Sequence, residues 1–232
     1  MSEFTEHIGG RIRLYRRRLH ISVSELGSRI SKSKASVSKY ESGAVGIDAD
    51  TLLDIARALG VSLGQLTDFP GSAPPRRARA GRSFLPRAQM YLYALDGRKK
   101  QVLRGLMLPV AAGDGTYHAT LFLGCPDFAS YEKCDSLYYG DIIPRDAVTN
   151  YMFVNQQNDV EQLHITAINP LGTDDLSTGL ITGINNSPLM PVAFKCLISP
   201  RPLPEDGTLD ARLRITAEDC RAMKQSNMFL CR

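Results

Sequence analysis

The chain has 232 residues, 43% of them hydrophobic and 22% charged, which excludes a chain that is disordered throughout and fits one large domain or two smaller ones. Its net charge of +4 hides an asymmetry. Residues 1–68 carry ten Lys/Arg against eight Asp/Glu, residues 69–88 carry five Arg and no acid, and residues 89–232 carry 13 against 16. Positive charge at the front and in a short connector suits a polyanionic partner. No apolar run reaches the roughly 18–20 residues of a membrane helix, and the polar start Met1–His7 has no signal-peptide character. The five cysteines, Cys125, Cys134, Cys196, Cys220 and Cys231, are odd in number and form no C-x-x-C pair. A disulfide framework is not expected, and a cytoplasmic location is.

Taken in chain order, apolar residues first recur at helical spacing: Ile8, Ile12, Tyr15 and Leu19, then Val23, Leu26 and Ile30, then Leu52, Ile55, Ala56 and Leu59. Ser22, Ser33, Asp48 and Ser62 stand where N-caps start successive helices, and Gly43 and Gly60 where helices stop. Five short helices are predicted, near 5–18, 23–30, 34–41, 49–59 and 63–68, forming an all-α domain over 1–68. Residues 69–83 are rich in Pro, Gly, Ala and Arg and read as a linker. Its Arg76, Arg77, Arg79 and Arg82 could serve as a basic arm on nucleic acid or as a plain solvated connector.

From residue 84 the period shifts toward alternation. Strands are predicted at Met90–Leu95, Tyr117–Leu123, Asn150–Asn155, Gln162–Ile168, Gly179–Ile184 and Val192–Ile198, with a closing helix at Thr216–Ser226. The expected fold of 84–232 is mixed α+β: an antiparallel sheet of five or six strands flanked by helices, analogous to PAS- and GAF-like sensors.

The second and third helices are joined by the short turn Ser31-Lys32-Ser33, a helix-turn-helix arrangement. Here the residues resemble the XRE (Cro/cI-type) family. The resemblance runs through Ile8-Gly9-Gly10-Arg11-Ile12-Arg13, Ser24-Glu25-Leu26, Ser33–Gly43 and Thr51–Leu63. It implies a DNA-reading third helix whose Lys34, Ala35 and Lys39 match base-contacting positions, with Ser36 and Ser38 on the same groove side. It also implies phosphate contacts from Ser22, Ser33 and Ser42, and Lys32 in the turn is a further phosphate candidate. Arg16 and Glu41 match positions that pair within the family fold. The chain departs from the pattern at Val23, where a Gln is usual, at Ser31 and Lys32, where Gly and an apolar residue are usual, and at His20, where the first helix usually ends in Gly. Ile47 replaces a frequent Pro.

For the second domain the residues leave several readings open. Ala112-Gly113, Ser136 and Lys195 superficially resemble the cleavage site, nucleophile and base of a LexA-type self-cleaving repressor. His118, Cys125, Cys134 and His164 have no zinc spacing, and no metal or cofactor is expected. Tyr138, Tyr139, Tyr151 and Phe153 are candidates to line a small-molecule pocket. The expectation is a non-enzymatic transcriptional regulator that binds a two-fold symmetric operator as a homodimer. Its C-terminal domain would dimerise and sense an effector. The competing classes are the self-cleaving repressor and an antitoxin-like protein-interaction module.

Overall fold

The computed structural model describes residues 2–69, 86–113, 115–170, 175–186 and 189–229. Nearly all of the linker, with Arg76, Arg77, Arg79 and Arg82, lies outside them. The chain separates into two compact units, Met1–Ser72 and Ala73–Arg232.

The first unit is five helices: α1 (Glu3–Arg18), α2 (Val23–Arg29), α3 (Lys34–Glu41), α4 (Ala49–Leu59) and α5 (Leu63–Thr67). Each begins at a side chain that accepts a backbone N–H of its own first turn: Ser2, Ser22, Ser33, Asp48 and Ser62. Those bonds satisfy donors that a helix start leaves unpaired. Ser62 and Gln65 close a reciprocal capping box. The apolar stripe of each helix meets in one core of Ile8, Ile12, Tyr15, Leu26, Val37, Ile55, Leu59 and Leu66, each at most 6% exposed. After α5, Phe69 returns to α1 and sets its ring edge-on against Phe4 (5.7 Å) and His7 (5.3 Å).

The turns after α1 and α2 show how the family departures are accommodated. His20 and Ser31 both adopt left-handed backbone, each with φ of 55°. A Cβ in that region costs roughly 1–2 kcal/mol.

The second unit is an antiparallel sheet that closes on itself. Its strands are β1 (Met90–Asp96), β2 (Gln101–Ala111), β3 (Tyr117–Leu123), β4 (Ser136–Pro144), β5 (Val148–Asn155), β6 (Gln162–Ile168), β7 (Ser177–Asn186) and β8 (Leu189–Ser199). Each pairs with its sequence neighbour, and β1 pairs with β8 to complete the barrel. Helices α6 (Gly207–Leu213) and α7 (Ala217–Ser226) follow, α6 packing against β1 and β8. The antiparallel sheet is as predicted, but it is a closed barrel of eight strands rather than five or six strands flanked by helices.

Strand alternation sorts residues cleanly between the two faces. On β6, Leu163, Ile165 and Ala167 are buried while Gln162, His164, Thr166 and Ile168 are exposed. Inward residues from all eight strands form one core, including Met90, Leu92, Met107, Leu121, Tyr138, Tyr151, Phe153, Ile165, Ile181 and Cys196. Eight strands enclose a space that side chains can fill. β1 is buried on both faces because Phe128 sits edge-on against Tyr91 (4.8 Å) and Tyr93 (5.6 Å), while the Tyr93 hydroxyl accepts the Leu203 N–H (2.8 Å).

The antiparallel order assigns the connections to two ends. The β1–β2, β3–β4 and β5–β6 connections share one end. The chain enters β1, leaves β8 and makes the β2–β3, β4–β5 and β6–β7 connections at the other.

Two stability predictions follow from the helical unit. His20→Gly and Ser31→Gly should each stabilise it by about 1 kcal/mol by relieving left-handed backbone, measured by urea denaturation; loss of stability in both would remove strain as the explanation. His7 is held below its ordinary pKa, first by burial and then by the nearby Arg11 charge. The folded state therefore disfavours protonated His7, so stability should fall as pH drops through the range just below 6.5. His7→Leu should flatten that segment of the stability–pH curve.

Candidate nucleic-acid interface

A helix that reads a groove must be fixed from behind and free in front. The rear of α3 carries Val37, fully buried, and Glu41, 6% exposed. The Arg16 guanidinium grips Glu41 with two bonds, Nε to Oε1 and Nη2 to Oε2 (2.9 Å), and its Nη1 donates to the Ile21 carbonyl (2.9 Å). Arg13 adds a longer contact to the same carboxylate (3.6 Å). This bidentate pair ties α1 to α3 and holds the Arg16 guanidinium above its ordinary pKa.

The front of α3 is open. Lys34, Ala35, Ser38, Lys39 and Ser42 are exposed and Ser36 is half-buried. At 100° per residue, positions 34, 35, 38, 39 and 42 span an arc of about 140° that excludes Val37 and Glu41, with Ser36 about 60° beyond its edge. Among the described residues, neither Lys34 nor Lys39 forms a side-chain hydrogen bond or ion pair, so both ammonium groups are available. The serines are partly committed. Ser33 Oγ accepts the Ser36 N–H (3.0 Å) and bonds Ser36 Oγ (2.9 Å), while Ser42 Oγ donates to the Lys39 carbonyl (3.1 Å). Ser22 Oγ accepts the Glu25 N–H (3.0 Å) at the start of α2. Lys32 is exposed in the turn. The nine residues of the sequence reading thus lie on the helix-turn-helix surface, at two helix starts, the turn and one face of α3. The loop after α3 adds exposed Ala44 and Val45, which sequence periodicity does not mark because they belong to no helix.

Of the four aromatic candidates in the barrel, three share its interior. Tyr138, Tyr151 and Phe153 are each at most 1% exposed. Tyr139 does not join them. Consecutive strand residues face opposite ways, so Tyr139 is on the outer wall, where it stacks on His118 at 6.2 Å. The Tyr138 hydroxyl donates to Glu161 Oε1 (2.5 Å), whose other oxygen accepts from Asn155 Nδ2 (2.9 Å). Burial, and secondarily Glu161, pushes the Tyr138 phenol up. The Tyr151 hydroxyl is buried with no hydrogen-bond partner among the described residues, and burial raises its pKa as well.

The other candidate chemistries are scattered by the topology. Ala112-Gly113 follows β2 at one end of the barrel, whereas Ser136 begins β4 at the other. The length of β3, about 20 Å, separates them. Lys195 is on β8 opposite Leu180. The structure does not bring these three together. His118 Nδ1 is 2.7 Å from Asp141 Oδ1 on the outer wall. Cys125 is buried behind Phe122, and its thiol is pushed up to about 11, chiefly by burial and then by Cys134. Among the described residues no three His, Cys, Asp or Glu side chains cluster as a metal site would require, and no helix is long and apolar enough to cross a membrane.

Glu41→Ala should lower the stability of the helical unit by about 3 kcal/mol, since it leaves the Arg16 charge unpaired in a mostly buried site. Thermal unfolding measures it, and a loss below about 1 kcal/mol would show the pair to be a surface contact in energetic terms.

Residues 12–66 match the Helix-turn-helix family. The chain is similar to the P22 c2 repressor, solved in complex with a synthetic operator: 31% identity over 27% of this chain and 94% of that one, TM-score 0.26. It is also similar to the clp gene regulator ClgR of Corynebacterium glutamicum, at 23% identity over 28% of this chain and 86% of that one, TM-score 0.27. A longer likeness, to apo-HppE, covers 84% of this chain and 97% of that one at 13% identity and a TM-score of 0.29. No curated protein matches the chain. Through its N-terminal unit, the chain belongs to the XRE (Cro/cI-type) helix-turn-helix family.

Proposed function

We propose that this protein is a sequence-specific DNA-binding transcriptional regulator that binds a two-fold symmetric operator as a homodimer. The observation that carries the reading is the front of α3: two unpaired lysines, a bare methyl group and hydroxyls on one exposed arc, held rigidly from behind by the Arg16–Glu41 pair. Lysine can donate to guanine O6 and N7, and the Ala35 methyl can pack on a thymine methyl. Ser22, Lys32, Ser33 and Ser42 flank that arc and serve the phosphates.

One such module buries only about 600–1,000 Å² on DNA. Specific binding therefore favours a dimer, with half-sites about one helical turn apart. The barrel supplies the dimer contact and an effector site, and the protein performs no catalysis. An effector acts by favouring one geometry of the paired readers over another.

Sequencing the genomic fragments retained by the purified full-length protein tests this reading. A two-fold symmetric site should be enriched; fragments no different from random DNA would favour the protein-interaction alternative. Lys34→Ala should relax preference at one base pair at a cost of about 1–3 kcal/mol, read by competition binding. Equal weakening on specific and random DNA would remove Lys34 from the base-reading set.

A further inference from the structure

The barrel end that carries the β1–β2 and β3–β4 connections holds a pocket of about 270 Å³. Its charged lining is Asp96, Lys99, Arg104, Lys133 and Asp135. Each is positioned by a separate local device. Asp96 Oδ1 accepts the backbone N–H groups of Arg98 (2.9 Å) and Lys99 (3.1 Å), which fixes the β1–β2 turn and the start of the Lys99 side chain. Lys133 ends a single 3-10 turn, Tyr131–Lys133, whose Tyr131 ring is edge-on to Phe122 at 4.8 Å. Asp135 lies over Gly124, which has a φ of 78°. A Cβ at Gly124 would stand 2.5 Å from an Asp135 carboxylate oxygen, so that close approach requires glycine. Arg104 is held by two bonds from its guanidinium to Glu205, including Nη2 to Oε2 at 2.5 Å.

With Arg104 engaged by Glu205, two ammonium groups and two carboxylates remain. Of the carboxylates, Asp96 already accepts two backbone N–H groups through Oδ1, which also lies 3.9 Å from Arg98 Nε, so its Oδ2 is the oxygen left to a ligand. Among the described residues, Lys99, Lys133 and Asp135 have no side-chain hydrogen-bond or ion-pair partner. A simple anion would meet Asp96 and Asp135, and a simple cation would meet Lys99 and Lys133. A ligand with both charges a few ångströms apart satisfies both sets, and the volume suits one small metabolite. We propose that this pocket binds a small zwitterion of the α-amino acid class, its carboxylate on Lys99 and Lys133 and its ammonium on Asp96 and Asp135. The inference deepens the effector reading above and rests on it for its consequence at DNA, though not for the binding itself.

The test is differential scanning fluorimetry and titration calorimetry on the full-length protein with the free L-amino acids at millimolar concentration. The same compounds blocked as N-acetyl or carboxamide derivatives, and inorganic phosphate, are the controls. At least one free amino acid should raise the melting temperature, its blocked forms and phosphate should not, and Lys133→Ala and Asp135→Asn should each weaken binding about tenfold to a hundredfold. Both residues are exposed and the variants should melt like the parent without ligand. No stabilising amino acid, equal stabilisation by a blocked form or by phosphate, or undiminished binding to both variants would overturn the proposal. Operator affinity with and without the amino acid separates the two readings. Binding that leaves DNA affinity unchanged keeps the pocket and removes the effector role, whereas absence of binding removes the pocket.

Discussion

The helical unit depends on the bidentate pair between Arg16 and Glu41. α3 has eight residues, too few to be stable alone, and only Val37 of its apolar residues is fully buried. Its front must stay polar and unpacked if it is to meet another molecule. Orientation therefore has to come from the rear, and a planar guanidinium on a carboxylate supplies direction as well as attraction. The third bond from Arg16, to the Ile21 carbonyl, extends the same anchor to the turn between α1 and α2. One arginine thus registers three segments against each other.

Much of this unit is legible in the sequence because its determinants are local. Ser22, Ser33, Asp48 and Ser62 each cap the helix that their position predicts, and the apolar positions from Ile8 to Leu59 enter the core at helical spacing, except Leu19, which is exposed, and Val23, which is half-buried. The Arg16–Glu41 pairing is legible only through resemblance, since nothing in the spacing of residues 25 apart requires contact. The cap Ser2, three residues earlier than the helix predicted from Thr5 onward, is hidden by the polar first turn that it precedes.

The barrel is harder to read, for a reason that β2 and β4 make concrete. Both strands contain residues that weaken an alternating pattern: Arg104, Gly105 and Pro109 in one, Gly140 and Pro144 in the other. In the folded chain Gly140 is where two backbones come together, since a Cβ there would fall 1.8 Å from the Met152 carbonyl oxygen. A glycine that reads as a break in one dimension marks a close strand contact in three. Closure is likewise non-local. The pairing of Leu92 with Ile198 joins residues at opposite ends of the domain, and no window of sequence contains both. The aromatic candidates divide on the same principle: Tyr138, Tyr151 and Phe153 fall on the inner parity and Tyr139 on the outer.

The seam that closes the barrel is also its shortest ladder, running only from Tyr91 to Ala94 against Cys196 to Ser199. α6 lies across both of these strands, with Leu209 and Leu213 buried beneath it. That placement makes α6 a clasp. While it is seated, every strand has a neighbour on each side and no edge is open to strand addition by another chain. Lifting it would uncover that four-pair seam, whose parting would open both β1 and β8 to strand addition, so a seven-residue helix outside the sheet covers the shortest join of the barrel.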